Sequence, residues 1–165
     1  MKQTFRVFAG LIALGVVVQA SVLALGGFTV LHDVDNGLVV DKNFQPNLGQ
    51  TIHGLVGMYA MPLLGLLLLV VSFLAAKEVP GARKWAGIVF GLILLQVALA
   101  FTAFAVPVVG ALHGINALAV LGTAVRATML TREANGAARS GRPERVSVPR
   151  QSTGSQSTSE ASRPV

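Results

Sequence analysis

Four stretches of this chain are apolar for long enough to cross a lipid bilayer: residues 5–25, 51–76, 85–106 and 108–130. A bilayer's hydrocarbon core is about 30 Å thick, and a helix rising 1.5 Å per residue crosses it in about 20 residues. The first stretch carries one charge, Arg6, at its start. The second and third carry none, and the fourth carries only Arg126, near its end. Helices satisfy their backbone groups internally, as lipid requires. The pattern therefore predicts an all-α integral membrane protein, an up-down-up-down bundle of four helices.

The connections differ in kind. Residues 26–50 are polar and rich in turn formers, with His32-Asp33-Val34-Asp35-Asn36-Gly37 and Pro46-Asn47-Leu48-Gly49. Residues 77–84 form a short basic turn through Pro80-Gly81. Proline costs least in a helix's first turn, so Pro107 marks the start of the fourth span. At residue 131 the composition changes. Residues 131–165 hold no aromatic side chain and only three large aliphatic ones, Val146, Val148 and Val165. Such a segment buries too little apolar area to offset its ordering entropy. The expected organisation is a transmembrane domain over 1–130 and a disordered tail over 131–165.

Composition narrows the chemistry. Of 165 residues, 53% are hydrophobic and 12% charged, and the mean hydropathy is +0.67. There is no cysteine, so disulfides, thiolate zinc sites, iron–sulfur clusters and covalent c-type haem are excluded. The net charge of +6 would suggest nucleic acid in a soluble protein, but its distribution reads as a topology signal. Lys2, Arg6, Lys77, Arg83, Lys84, Arg126 and the six tail arginines fall on one side of the four spans. Lys42 stands on the other beside Asp33, Asp35 and Asp41. The basic side is expected to be cytoplasmic. That places both termini inside a bacterial-type plasma membrane, with the lipid bilayer as partner and no nucleic acid. Trp85 and Lys84 read as anchors at the inner interface. Lys2 and Arg6 before an apolar run also fit a cleaved signal peptide; the absence of a small-x-small cleavage site and the repeat described next favour retention.

The first and second halves of the apolar region share a plan. Val17-Val18-Gln19-Ala20-Ser21-Val22 matches Leu94-Leu95-Gln96-Val97-Ala98-Leu99, and Ile52-His53-Gly54-Leu55-Val56-Gly57 matches Leu112-His113-Gly114-Ile115-Asn116-Ala117. Spans one and three each carry a glutamine. Spans two and four each carry a His-Gly near the outer end. The chain reads as two helical hairpins differing mainly in the length of the outer connection.

Spans two and four run in the same direction, and in such a bundle they are diagonal partners. His53 and His113 lie at similar depth, so their imidazoles can meet through the bundle axis, as bis-histidine haem ligation requires. Small residues accompany both: Gly54 and Gly57 beside His53, and Gly110, Gly114 and Ala117 beside His113. Positions three and four apart share a helix face with the ligand and leave room for a flat macrocycle. The same small residues serve helix contact, and an intramembrane histidine serves as a hydrogen-bonded interface residue. Gln19 and Gln96 need polar partners in an apolar setting: a haem propionate, a ligand imidazole, or a neighbouring helix. His32 reads as a solvated loop residue.

Leu95-Gln96-Val97-Ala98-Leu99 followed by Pro107, Leu112-His113 and Ala117 resembles one half of the haem A synthase family, across residues 5–130. That family has two four-helix halves, each with histidines heading its second and fourth helices on the outer side. The outline is also similar to that of small four-helix bacterial membrane proteins. The resemblance implies haem ligation by His53 and His113. Where the family carries a glutamate three residues before the histidine and an arginine just after it, this chain has Gln50 and Gly54. Glutamine cannot act as a general base, and only one half is present, so synthase activity is not implied.

The expected function is thus a membrane haem-binding protein, cytochrome b-like, with haem b as its only cofactor. It would serve electron transfer or haem handling at the outer side, beside a membrane redox partner or respiratory complex. The alternatives are a cofactor-free structural or assembly subunit and a haem-modifying enzyme. No Asp or Glu lies within a span, which argues against ion-coupled transport.

Overall fold

A computed structural model describes residues 1–140, with the side chains of 138–140 left aside. Every regular element in it is helical: α1 Lys2–Asp35, α2 Leu48–Leu55, a π-helical turn Val56–Ala60, α3 Met61–Ala75, α4 Ala82–Ala105 and α5 Val109–Ser140. The π turn joins α2 to α3 without a break. The result is four long helices, each long and apolar enough to cross a membrane.

Helix α1 runs ten residues past the expected end at residue 25. Gly26-Gly27 costs about 1 kcal/mol per glycine in a helix interior, yet does not stop it. Gly26 is instead buried against α2. The helix ends where a motif stops it. Gly37 adopts φ +97°, the Gly37 amide donates to Val34 O and the Leu38 amide to Asp33 O. This is a Schellman closure. His32 therefore lies in the last turn of α1. It is exposed, as expected, but helical, because the local Asp-Asn-Gly run acts as a stop signal only at its end.

The chain returns through an Asx turn, with the Asn43 amide donating to Asp41 Oδ1 at 2.7 Å. Asn47 then caps α2. Its Oδ1 accepts the Gln50 amide, Gln50 Oε1 accepts the Asn47 amide, and Asn47 Nδ2 donates to Gly26 O at 2.8 Å. The capping box starts the helix and ties it to α1 in one motif. The π turn has a local cause in Pro62. Proline lacks an amide hydrogen, and its ring clashes with the carbonyl one turn back. The ladder widens there, and the Met61 amide donates to Val56 O.

Pro80-Gly81 makes the next turn, with Gly81 at φ +82°, a region that costs a side chain about 1 kcal/mol or more. Val106 O and Pro107 O accept the amides of Val109 and Gly110, so the proline sits just before α5. That helix continues through Leu130 to Ser140, ten residues into the segment expected to be disordered. Thr131 is buried and donates to Thr128 O, and Arg126 pairs with Glu133. Arg132, Glu133, Ala134 and Ala137 are good helix formers once the preceding turns nucleate them. The remainder of the expected tail, 141–165, lies outside the described residues.

Helix α1 packs against α2, α3 and α5, and α4 packs against α3 and α5. The second and fourth long helices are thus held apart by shared neighbours. The core lies toward one end. Phe5, Ala9, Ile12 and Val16 meet Leu68, Ala75, Ala86, Val89, Ile93, Val120, Ala124 and Ala127 there. Toward the other end, from Gln19, His53, Gln96 and His113 outward, the only buried residues among those described are Gly26 and Gly49. The histidine end lacks a packed apolar centre.

Candidate functional site

His53 and His113 stand opposite each other at that end, ring edge toward ring face. Their ring centroids are 6.3 Å apart, with ring planes inclined at 62°. Each ring is held by the other helix of its own hairpin. His53 Nδ1 lies 3.1 Å from Gln19 O, and His113 Nδ1 lies 3.1 Å from Gln96 O. A backbone carbonyl only accepts, so each Nδ1 carries the proton and donates. The neutral imidazole then keeps its lone pair on Nε2, and neither Nε2 has a hydrogen bond among the described residues. The two rings thus have their Nδ1 atoms engaged by backbone carbonyls and stand within 6.3 Å of each other, centroid to centroid.

The glutamines complete a reciprocal clasp. Gln19 Nε2 donates to His53 O at 3.0 Å, and Gln96 Nε2 donates to His113 O at 3.0 Å. In each hairpin, then, the glutamine carbonyl orients the ring while its amide holds the histidine backbone. Of the roles weighed for these glutamine side chains, the structure shows the bridge to a neighbouring helix; the imidazole is met by the glutamine's main-chain carbonyl instead. The repeat seen in the sequence is a repeat of this clasp.

The small residues divide. A Cβ on Gly57 would stand 2.7 Å from Gln19 Nε2, so this glycine admits the glutamine side chain rather than a macrocycle. A Cβ on Gly110 would meet Ala103 Cβ at 4.0 Å, an ordinary contact between α4 and α5. Ala117 packs against the core. Gly54 and Gly114 have nothing within 4 Å and are exposed. They lie one residue, about 100°, round the helix from their histidines. Only positions that face a neighbouring helix have their space taken.

The clasps differ at one point. Asn116 Nδ2 donates to Gln96 Oε1 at 2.6 Å and to Leu92 O at 2.9 Å. The corresponding position after His53 is Val56, and Gln19 Oε1 is buried with no partner. Asn116 went unrecognised from sequence as a site residue. Its signal is a polar side chain one turn after the histidine in an otherwise apolar helix. Replacing it by the residue of the other hairpin, Asn116→Val, would strand Gln96 Oε1. Thermal unfolding in detergent should then show a loss of about 1–3 kcal/mol. Stability equal to the parent protein would mean that the clasp tolerates an unpaired carbonyl.

Gln50 is fully engaged in the α2 capping box, and His32 bonds only locally with Asn36. Among the described residues, no three His, Asp or Glu side chains gather to hold a metal ion. Among the described residues, the two imidazoles are the titratable side chains that this site brings close together. No protein-family model, curated protein or solved structure matches the chain.

Proposed function

We propose that this chain is a four-helix membrane protein whose His53 and His113 hold a b-type haem between them. One observation carries the reading: two imidazoles facing each other with centroids 6.3 Å apart. An iron bonded to two imidazole nitrogens at about 2 Å on each side, each nitrogen about 1 Å from its ring centre, sets such centroids about 6 Å apart. The surroundings fit as well. Nδ1–H donation to a backbone carbonyl is the usual way a ligating histidine is oriented, and here it occurs twice. The end of the molecule around the pair also lacks a buried apolar core.

His53 and His113 would hold the haem, and the chemistry it would supply when bound is one-electron transfer. The residues themselves do the rest: Gln19 and Gln96 hold the ring tautomers, and the packed half of the helices holds the two hairpins in register. Electron transfer or haem handling on the outer side follows from the position of the pair. The direct test is a pyridine haemochrome assay on detergent-purified protein. About one haem b per chain, with a low-spin absorption spectrum, is expected. Folded protein that takes up none when haem is supplied would refute the reading.

A second reading rests on the same clasps. One joins its two helices by two hydrogen bonds and the other by four, which is useful to a cofactor-free structural or assembly subunit. That role does not require the two rings to face each other, so haem binding accounts for more of the geometry. A haem-modifying enzyme is less well supported, because Gln50 is occupied as a helix cap.

The proposed topology has the end with Lys2, Lys77, Arg83 and Lys84 in the cytoplasm, in a bacterial-type plasma membrane, following the distribution of basic residues. A reporter fused after Leu130 should behave as cytoplasmic, and one inserted within residues 33–46 as external. The reverse labelling would invert the molecule.

A further inference from the structure

The two hairpins present equivalent histidines, but they do not hold them equally. On the α4–α5 side, Gln96 uses both ends of its amide. Its Nε2 donates to His113 O, and its Oε1 accepts from Asn116, which also donates to Leu92 O. These bonds tie Leu92 and Gln96 of α4 to His113 and Asn116 of α5. On the α1–α2 side, Gln19 Nε2 donates to His53 O and nothing meets Gln19 Oε1. A buried carbonyl left without a donor costs about 1–3 kcal/mol, so this clasp is the less stable of the two.

A second, independent difference lies in the backbone. From the third residue after His53 the helix widens into the π turn Val56–Ala60, whereas the helix carrying His113 is regular from Val109 onward. A π turn inserted in an α-helix marks a place where register can shift, and such turns collect at functional sites. Beyond His53 on the other side, α2 lasts only five residues before its cap at Asn47. His53 thus sits on a short helical segment between a cap and a register defect.

From these differences we infer that His53 is the displaceable ligand. The His53 side of the bound haem is then a binding site for a small neutral donor molecule of the carbon monoxide or nitric oxide class, while His113 stays in place. This rests on the haem reading above. In the exchange His53 would give up the bond made by its Nε2 lone pair and the incoming ligand's lone pair would take its place, with no electron transferred and with the Nδ1–H of His53 still on Gln19 O.

The experiment uses the haem-loaded full-length protein, reduced with dithionite and mixed with carbon monoxide. The expected result is conversion of the low-spin bis-histidine spectrum to a carbon monoxide complex with one histidine retained. Val56→Asn supplies the donor that Gln19 Oε1 lacks and should slow conversion about tenfold, which corresponds to about 1.4 kcal/mol in the barrier. Asn116→Val loosens the other clasp and should leave His53 exchange no slower than in the parent. A low-spin protein that carbon monoxide does not convert overturns the inference and leaves the haem reading intact. So does conversion at one rate in the parent and in Val56→Asn. A protein with no haem spectrum at all overturns the haem reading itself.

Discussion

Replacing either of the paired histidines by alanine should abolish the low-spin spectrum, and the two losses should look different. Under the proposed ligation, His113→Ala would remove the ligand on the better-held hairpin, where Asn116 bonds both Gln96 and Leu92. The remaining His53 is held by a clasp with an unpaired carbonyl, so most of the haem should be lost during purification. His53→Ala should leave the haem on His113 in a high-spin, five-coordinate form. Added imidazole should restore the low-spin spectrum in His53→Ala, which a merely structural role for that residue would not produce. His32 is exposed at the end of α1 and bonds only to Asn36, so His32→Ala should match the parent. Absorption spectra and haemochrome quantification check all of this. Low-spin haem in both paired-histidine variants would place the ligands elsewhere.

The largest effect on stability is expected at Gly49. A Cβ there would stand 2.5 Å from Val22 O, 2.6 Å from Gly26 N and 2.8 Å from Gly26 Cα. All three are backbone atoms, which cannot rotate away as a side chain can. Gly49→Ala must therefore push α1 and α2 apart at their closest crossing. The same shift would lengthen the Asn47–Gly26 bond, and through it the Gln19–His53 clasp. Overpacking of this kind costs about 3 kcal/mol, and thermal unfolding followed by helical circular dichroism should record a loss of that order. Gly27→Ala is the control. It lies next along α1 with nothing within 4 Å, so it should be neutral or gain up to about 1 kcal/mol of helix propensity. Equal stability of the two variants would show that the α1–α2 crossing is looser than its geometry indicates.

How much of this was legible in the sequence depends on the range of the interaction involved. The four apolar spans, the His-Gly of spans two and four, and the glutamines of spans one and three are statements about residue type and period. Helical geometry turns those directly into faces and depths. Pro107 and Pro80-Gly81 mark real boundaries because their effect is confined to their own backbone. The capping box of Asn47 and Gln50 was equally local and could have been read from Asn-x-x-Gln.

Other features needed the folded chain. Helix α1 passes through Gly26-Gly27 because Gly26 meets Gly49 from 23 residues later. Local propensity alone would have ended it there. Gly57 reads from spacing as space for a cofactor, and only the arrival of Gln19 from α1 shows that the space is taken. That the glutamine backbone, rather than its amide, orients each imidazole depends on how two helices are rotated against each other. The inequality of the two clasps arises in the same way. Val56 and Asn116 are visible as a mismatch in the repeat, but whether a valine there leaves a carbonyl unpaired is decided by packing. The sequence by itself determined which residues could meet and at what depth along the helices. Tertiary structure decided which atoms do meet, because hydrogen bonds depend on ångström-scale distances and angles that periodicity does not specify.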